Sequence, residues 1–362
     1  LRAPLLAFGK GSVLLCAALL IGAGLWAARS NRIELAAFWR RRRAAILSAE
    51  GLFLLVFFGF TLLRAFNPDL WHPARGDEKP MDLAFLTAVV KSPAFPPYDP
   101  WFAGGYLNYY YFGFVLVATL IHLTGVIPTT AYNLAVPTFA ALTALGAWGA
   151  AFNLMALRGR LRSGGVSNQP LLRRLFGPLP GAASAIWKRY EQRAIGAGLA
   201  AALFATLAGS LAQAVWFLPG TPAAPDPALP EQCRELSSYA AQQDCRGRAE
   251  WAFWDATRLV GMSLQDSTIN EFPFFTFLFA DLHAHMIALP LTLAALNLIL
   301  ALVRHAPRTR WQRSWSVAAS FSASLVLTLI FLALTIGALY ATNTWDYPTS
   351  AGLGALGVGL YA

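Results

Sequence analysis

Two short stretches of this sequence concentrate the residue types that move protons and bind cations. The first reads Asp77-Glu78-Lys79-Pro80-Met81-Asp82. Glu78 and Asp82 are four residues apart, so a helix containing both sets their carboxylates on one face. Like charges at that spacing repel. A metal ion, a basic group or a shared proton would explain the pair. The ordinary alternative is an acid placed in a first helical turn by the macrodipole, with Glu78 outside the helix. In the functional reading Glu78 or Asp82, with Asp77 as neighbour, takes a proton from a hydroxyl as general base. Lys79 then neutralises a phosphate. The second stretch is Asp281-Leu-His-Ala-His285. In a helix Asp281 and His285 share a face; in an extended segment His283 and His285 do. Either pairing suits a divalent metal such as Mg or Mn, or a positioned proton donor. The plain alternative is a polar pair satisfied between helices.

Three further groups complete the candidate set. Asn108 and the run Tyr109-Tyr110-Tyr111 open an apolar segment. Adjacent tyrosines point around a helix, so some of them face protein and suit a polar pocket mouth, whereas an interfacial aromatic belt would use them only at the membrane surface. Arg258 is a phosphate partner by its bidentate guanidinium, or else a surface charge. Asp346, in Asn343-Thr-Trp-Asp-Tyr-Pro-Thr349, sits in a turn, where a helix-capping acid is the ordinary reading.

These residues must be held by membrane helices. The chain has 362 residues, 57% hydrophobic and only 13% charged, and a mean hydropathy of +0.49. A soluble chain is about one quarter charged. The apolar residues form long runs at 11–28, 44–66, 109–127, 131–157, 194–218, 282–303, 315–341 and 350–362. Each approaches the ~20 residues that a bilayer requires. The expected fold is an all-α polytopic membrane bundle with about eight membrane segments in a single transmembrane domain. The chain starts at Leu1 and stops inside an apolar run, and is read as a fragment of a longer protein.

Charge gives the sidedness. The net charge of +10 is carried by arginines at 29–43, 158–193 and 304–313, which mark cytoplasmic loops. No nucleic-acid motif accompanies it, so nucleic acid is not an expected partner. Residues 67–108, with a short interfacial helix, and residues 219–271 are net acidic and are expected to face outward. Cys233 and Cys245 lie in the second of these and suit a disulfide or two free thiols. All the candidate residues then lie near one interface. One count does not close. Between the acidic loop ending at Asn108 and the basic loop starting at Arg158 the chain must cross an odd number of times, yet two apolar runs lie there. One run is re-entrant or interfacial, or the basic loop breaks the charge rule.

The stretches Glu78-Lys-Pro-Met-Asp82, Asp99-Pro-Trp-Phe-Ala-Gly-Gly105, Asn108-Tyr-Tyr-Tyr-Phe-Gly113, Glu271-Phe-Pro-Phe-Phe275, Asp281-Leu-His-Ala-His285 and Asn343-Thr-Trp-Asp-Tyr-Pro348 resemble the YYY-domain membrane proteins of bacteria and archaea. The layout is similar to that of GT-C membrane glycosyltransferases, which carry a catalytic acid on a long first outward loop. That resemblance implies a prokaryotic plasma-membrane enzyme using a polyprenyl-phosphate-linked sugar at the extracytoplasmic face. It departs from the pattern in lacking Asp-x-Asp in that loop. An ion- or proton-coupled transporter is the competing expectation, since intramembrane Asp and His relay protons; a non-catalytic scaffold is the third.

Overall fold

A computed structural model describes residues 6–71, 78–162, 181–208, 257, 271–305 and 323–361. Asp77, Arg258, Cys233 and Cys245 lie outside the described residues. The chain divides into two compact units, Leu1–Ala202 with Ala280–Ala362, and Leu203–Phe279. In the second unit, Pro273–Phe279 forms a seven-residue helix that buries Phe275 and Phe277.

The first unit is an all-α membrane helix bundle. We number its helices α1 (Lys10–Ser30), α2 (Arg32–Phe66), α3 (Lys79–Lys91), α4 (Phe112–Thr124), α5 (Pro128–Arg162), α6 (Gly181–Thr206), α7 (Ala284–His305), α8 (Ala323–Thr342) and α9 (Tyr347–Tyr361). Among the described residues five are long and apolar enough to cross a membrane: Lys10–Ser30, Arg32–Phe66, Pro128–Met155, Ala284–Val303 and Ser324–Thr342. The remaining expected segments are helical but shorter or, in α6, more charged. Leu19, Leu20, Leu25, Leu55 and Phe58 are exposed on α1 and α2, as side chains against lipid tails are. The predicted loop 30–43 is mostly helix: α1 ends at Asn31 and α2 starts at once, carrying Arg40 to Arg43 in its first turns.

The core forms around α5 and α7, which pack on each other; α2 packs on α5, and α8 and α9 pack on α7. Small residues permit these approaches, as expected where lipid supplies no hydrophobic drive for helix association. At Gly146 of α5 a Cβ would stand 2.7 Å from the Leu293 Cβ of α7. Gly146→Leu is therefore expected to destabilise the bundle by about 1–3 kcal/mol through overpacking. Gly59→Leu, on a helix position open to 4 Å, is the control. Thermal unfolding in detergent separates the two.

The helix α4 is shorter than a membrane span. Its 13 residues rise ~20 Å, short of the ~30 Å hydrocarbon layer. Gly125 ends it in the left-handed conformation, φ +75°. Both its flanks reach the same end of the bundle. Tyr109, just before it, meets His283. Tyr132 and Asn133, just after it, meet Leu282 and Pro68. Tyr109 and Tyr132 therefore reach the Leu282–His283 segment from the two flanks of α4. At the other end, Arg42 of α2 pairs with Glu191 of α6 at 3.2 Å, so the first two basic segments lie together.

Candidate functional site

The first turn of α3 supplies the acids. Asp82 N–H donates to the Glu78 carbonyl at 2.8 Å, so Glu78 occupies the N-cap and Asp82 lies inside the helix. Pro80 fits because a first-turn N–H needs no intrahelical partner. The two carboxylates then meet different surroundings. Asp82 is fully buried, Lys79 is buried, and the Glu78 side chain is 40% exposed.

The Asp-Leu-His segment is not helical; α7 starts at Ala284, and His283 supplies the carbonyl for the first helical bond, to Ile287 N–H. The extended alternative therefore describes the two imidazoles. Their Nδ1 atoms lie 2.7 Å apart. Two lone pairs or two N–H groups would repel at that separation, so one proton lies between the rings. His283 Nε2 lies 3.0 Å from Glu78 Oε2 and 3.0 Å from Tyr109 Oη. Ala280, just upstream, has φ +62°. An L-residue holds that conformation at a cost of about 1–2 kcal/mol. Such strain gathers at sites whose geometry the fold over-determines.

Beneath this layer is a second one. Tyr132 of α5 accepts the Leu282 N–H at 2.8 Å and donates to Asp82 Oδ2 at 3.4 Å. Burial pushes the Asp82 carboxyl up to about 10, helped by the charge and hydrogen bond of Asp281 and by the charge of Glu78, against the pull of Tyr132. Asp82 is therefore a neutral acid at pH 7. The Tyr109 phenol is also held well above its usual range, by burial first and then by Glu78, Asp82 and Asp281. Tyr132→Phe should cost about 1–3 kcal/mol, because it leaves the buried Leu282 N–H without an acceptor. Denaturant titration of the purified variant measures this.

The tyrosine run divides as adjacent residues must. Tyr109 turns into the cluster, Tyr110 packs on Tyr109, and Tyr111 stacks on Phe95. Asn108 is exposed. Asp99-Pro-Trp-Phe-Ala-Gly-Gly105 forms a tight turn in which Asp99 Oδ1 accepts the N–H groups of Trp101 and Phe102. Asp346 accepts from Asn343 Nδ2 at 2.9 Å within its own turn. The structure thus gathers Glu78, Asp82, Tyr109, Asp281, His283 and His285, and gives Asp346 a local bond. Asp281 faces Asp82 while His283 spans Glu78 and His285, and among the described residues no three His, Cys, Asp or Glu side chains are grouped to hold a metal ion.

Over residues 2–362 the chain matches the family described as Uncharacterized membrane protein (DUF2298). It belongs to that family. Comparison with curated proteins and with solved structures found no match. In this DUF2298 protein the sequence reading passed over two residues of the site. Tyr132 sits in the polar start of an apolar run, after Pro128-Thr-Thr130. Arg64 is one of two charges, with Glu50, in the 44–66 apolar run and lies near its C-terminal end. It is buried, its Nε donates to Asn133 Oδ1 at 3.0 Å, and its Nη2 donates to the same oxygen and to the Asp69 carbonyl. A buried charge in a membrane segment is itself a signal of function or of required pairing.

Proposed function

We propose that this DUF2298 protein is a membrane glycosyltransferase of the GT-C kind, close to the YYY-domain proteins, acting on a polyprenyl-phosphate-linked sugar at the extracytoplasmic face of a prokaryotic plasma membrane. The observation that supports it most is the partly exposed Glu78 carboxylate held 3.0 Å from His283 Nε2 at the N-terminal end of α3. Glu78 takes the proton of an acceptor hydroxyl. His283 holds the carboxylate in place, and His285 supplies the proton that fixes the His283 tautomer. Asp82, neutral and enclosed, supports the site through Asp281 and Tyr132 and is not the base. No step here passes through a metal. Lys79 remains the proposed partner of the lipid phosphate. Native mass spectrometry of the protein purified in mild detergent tests the donor class: a bound polyprenyl-phosphate lipid is the expected result. A lipid-free protein with no sugar transfer to any acceptor argues against the reading.

A second reading, proton-coupled transport, draws on the neutral Asp82 beside Asp281. It competes less well because these groups gather at one end of α5 and α7, whereas transporter sites lie near the midplane. Proton flux in liposomes, independent of lipid-linked sugar, would favour it.

A further inference from the structure

The end of α2, residues 67–71 and the start of α5 line a broad, open pocket of about 420 Å³. That is within the roughly 300–1,000 Å³ typical of small-molecule sites. Its lining includes Asp69, Trp71, Thr129, Thr130 and Asn133. The lining is partly fixed from within. Asp69 Oδ1 accepts the Trp71 N–H at 2.9 Å, which positions the loop bearing the indole. Asn133 accepts from Arg64 and donates to the Pro68 carbonyl at 3.1 Å. The Arg64 guanidinium is bonded to Asn133 and the Asp69 carbonyl, and its charge is balanced in part by the Asp69 carboxylate. A carboxylate in the lining disfavours phosphate. Two hydroxyls, an amide and a carboxylate beside an indole instead suit a neutral ring rich in hydroxyls. Such a ring donates to Asp69, exchanges hydrogen bonds with the threonines, and lays its C–H face on the negative face of the indole.

We propose that this pocket seats a pyranose, the sugar of the lipid-linked donor. The inference rests on the transferase reading for its choice of donor. Tyr132 and Asn133 are consecutive, so one turn of α5 connects the pocket to Asp82.

The test uses the full chain in lipid nanodiscs. Saturation-transfer NMR is run with methyl α-glucopyranoside, methyl α-mannopyranoside and methyl N-acetyl-α-glucosaminide, with inorganic phosphate as the anionic probe. At least one glycoside should bind and phosphate should not. Trp71→Ala should weaken the glycoside about tenfold, Trp71→Phe should restore most of the binding, and Thr130→Val should weaken it without unfolding the protein. In the transfer assay Trp71→Ala should raise the KM for the donor. No glycoside bound by the native chain, binding indifferent to Trp71→Ala, or preferential phosphate binding overturns the pocket. A raised KM for the acceptor alone overturns the donor assignment. Trp71-dependent glycoside binding by a chain with no transferase activity upholds the pocket and sinks the transferase reading, so the two fail separately.

Discussion

Glu78→Gln is expected to lower sugar transfer by roughly 10²–10⁴-fold, the usual contribution of a positioned general base. The substitution keeps the volume and hydrogen-bonding reach of the side chain and removes its basicity. Its effect on folding should be below about 1 kcal/mol, because the Glu78–His283 pair is partly exposed and such pairs contribute little to stability. Both kcat and kcat/KM should fall together, the pattern of an interaction made in the transition state. Initial rates with a lipid-linked donor, paired with a thermal melt, measure the two effects. A Glu78→Gln enzyme with native rates would remove Glu78 from the chemistry and return the role to another carboxylate.

The second large effect is on stability against pH. Asp82 has an ordinary value of 3.8 when unfolded and about 10 when folded. The folded chain therefore keeps a proton that the unfolded chain releases above about pH 4. Asp82 contributes its full stabilisation below that pH, and the contribution is lost progressively as pH rises towards 10. The slope is at most about 1.4 kcal/mol per pH unit. Melting temperatures in detergent should fall steadily from pH 5 to pH 9. Asp82→Asn, neutral at every pH, should flatten that slope. A slope unchanged in Asp82→Asn would mean that another group carries the linkage.

Much of the architecture was legible because membrane segments are written in long apolar runs. The described parts of the eight predicted runs are largely helical, and five helices there are long and apolar enough to cross a membrane. The shortness of α4 was not legible. The 109–127 run is as apolar as its neighbours, and its helix stops at Gly125. The site was legible as a set of residues, since carboxylates and imidazoles near a membrane stand out by cost alone. The division of labour between Glu78 and Asp82 was not. Four residues of spacing make the two look equivalent; only the packing of α5 and the Asp281 segment over Asp82 makes one a neutral buried acid and leaves the other open to a hydroxyl. The positive φ of Ala280, which sets up the Asp281–His283 turn, has no signature in an alanine.

The packing of α4 also bears on how the chain is made. Synthesis delivers α4 before α5 and long before α7, yet Gly113 of α4 packs so closely on Ile287 of α7 that a Cβ there would stand 2.6 Å from its Cδ1. At birth, then, α4 has α1 and α3 beside it and lacks α5, α7 and α8, which also pack on it in the finished bundle. The Tyr109–His283 contact is completed only when the segment before α7 arrives. Biogenesis and site assembly are in this sense linked: His283, which faces Glu78, comes in on the segment that leads into the helix packed on Gly113 of α4.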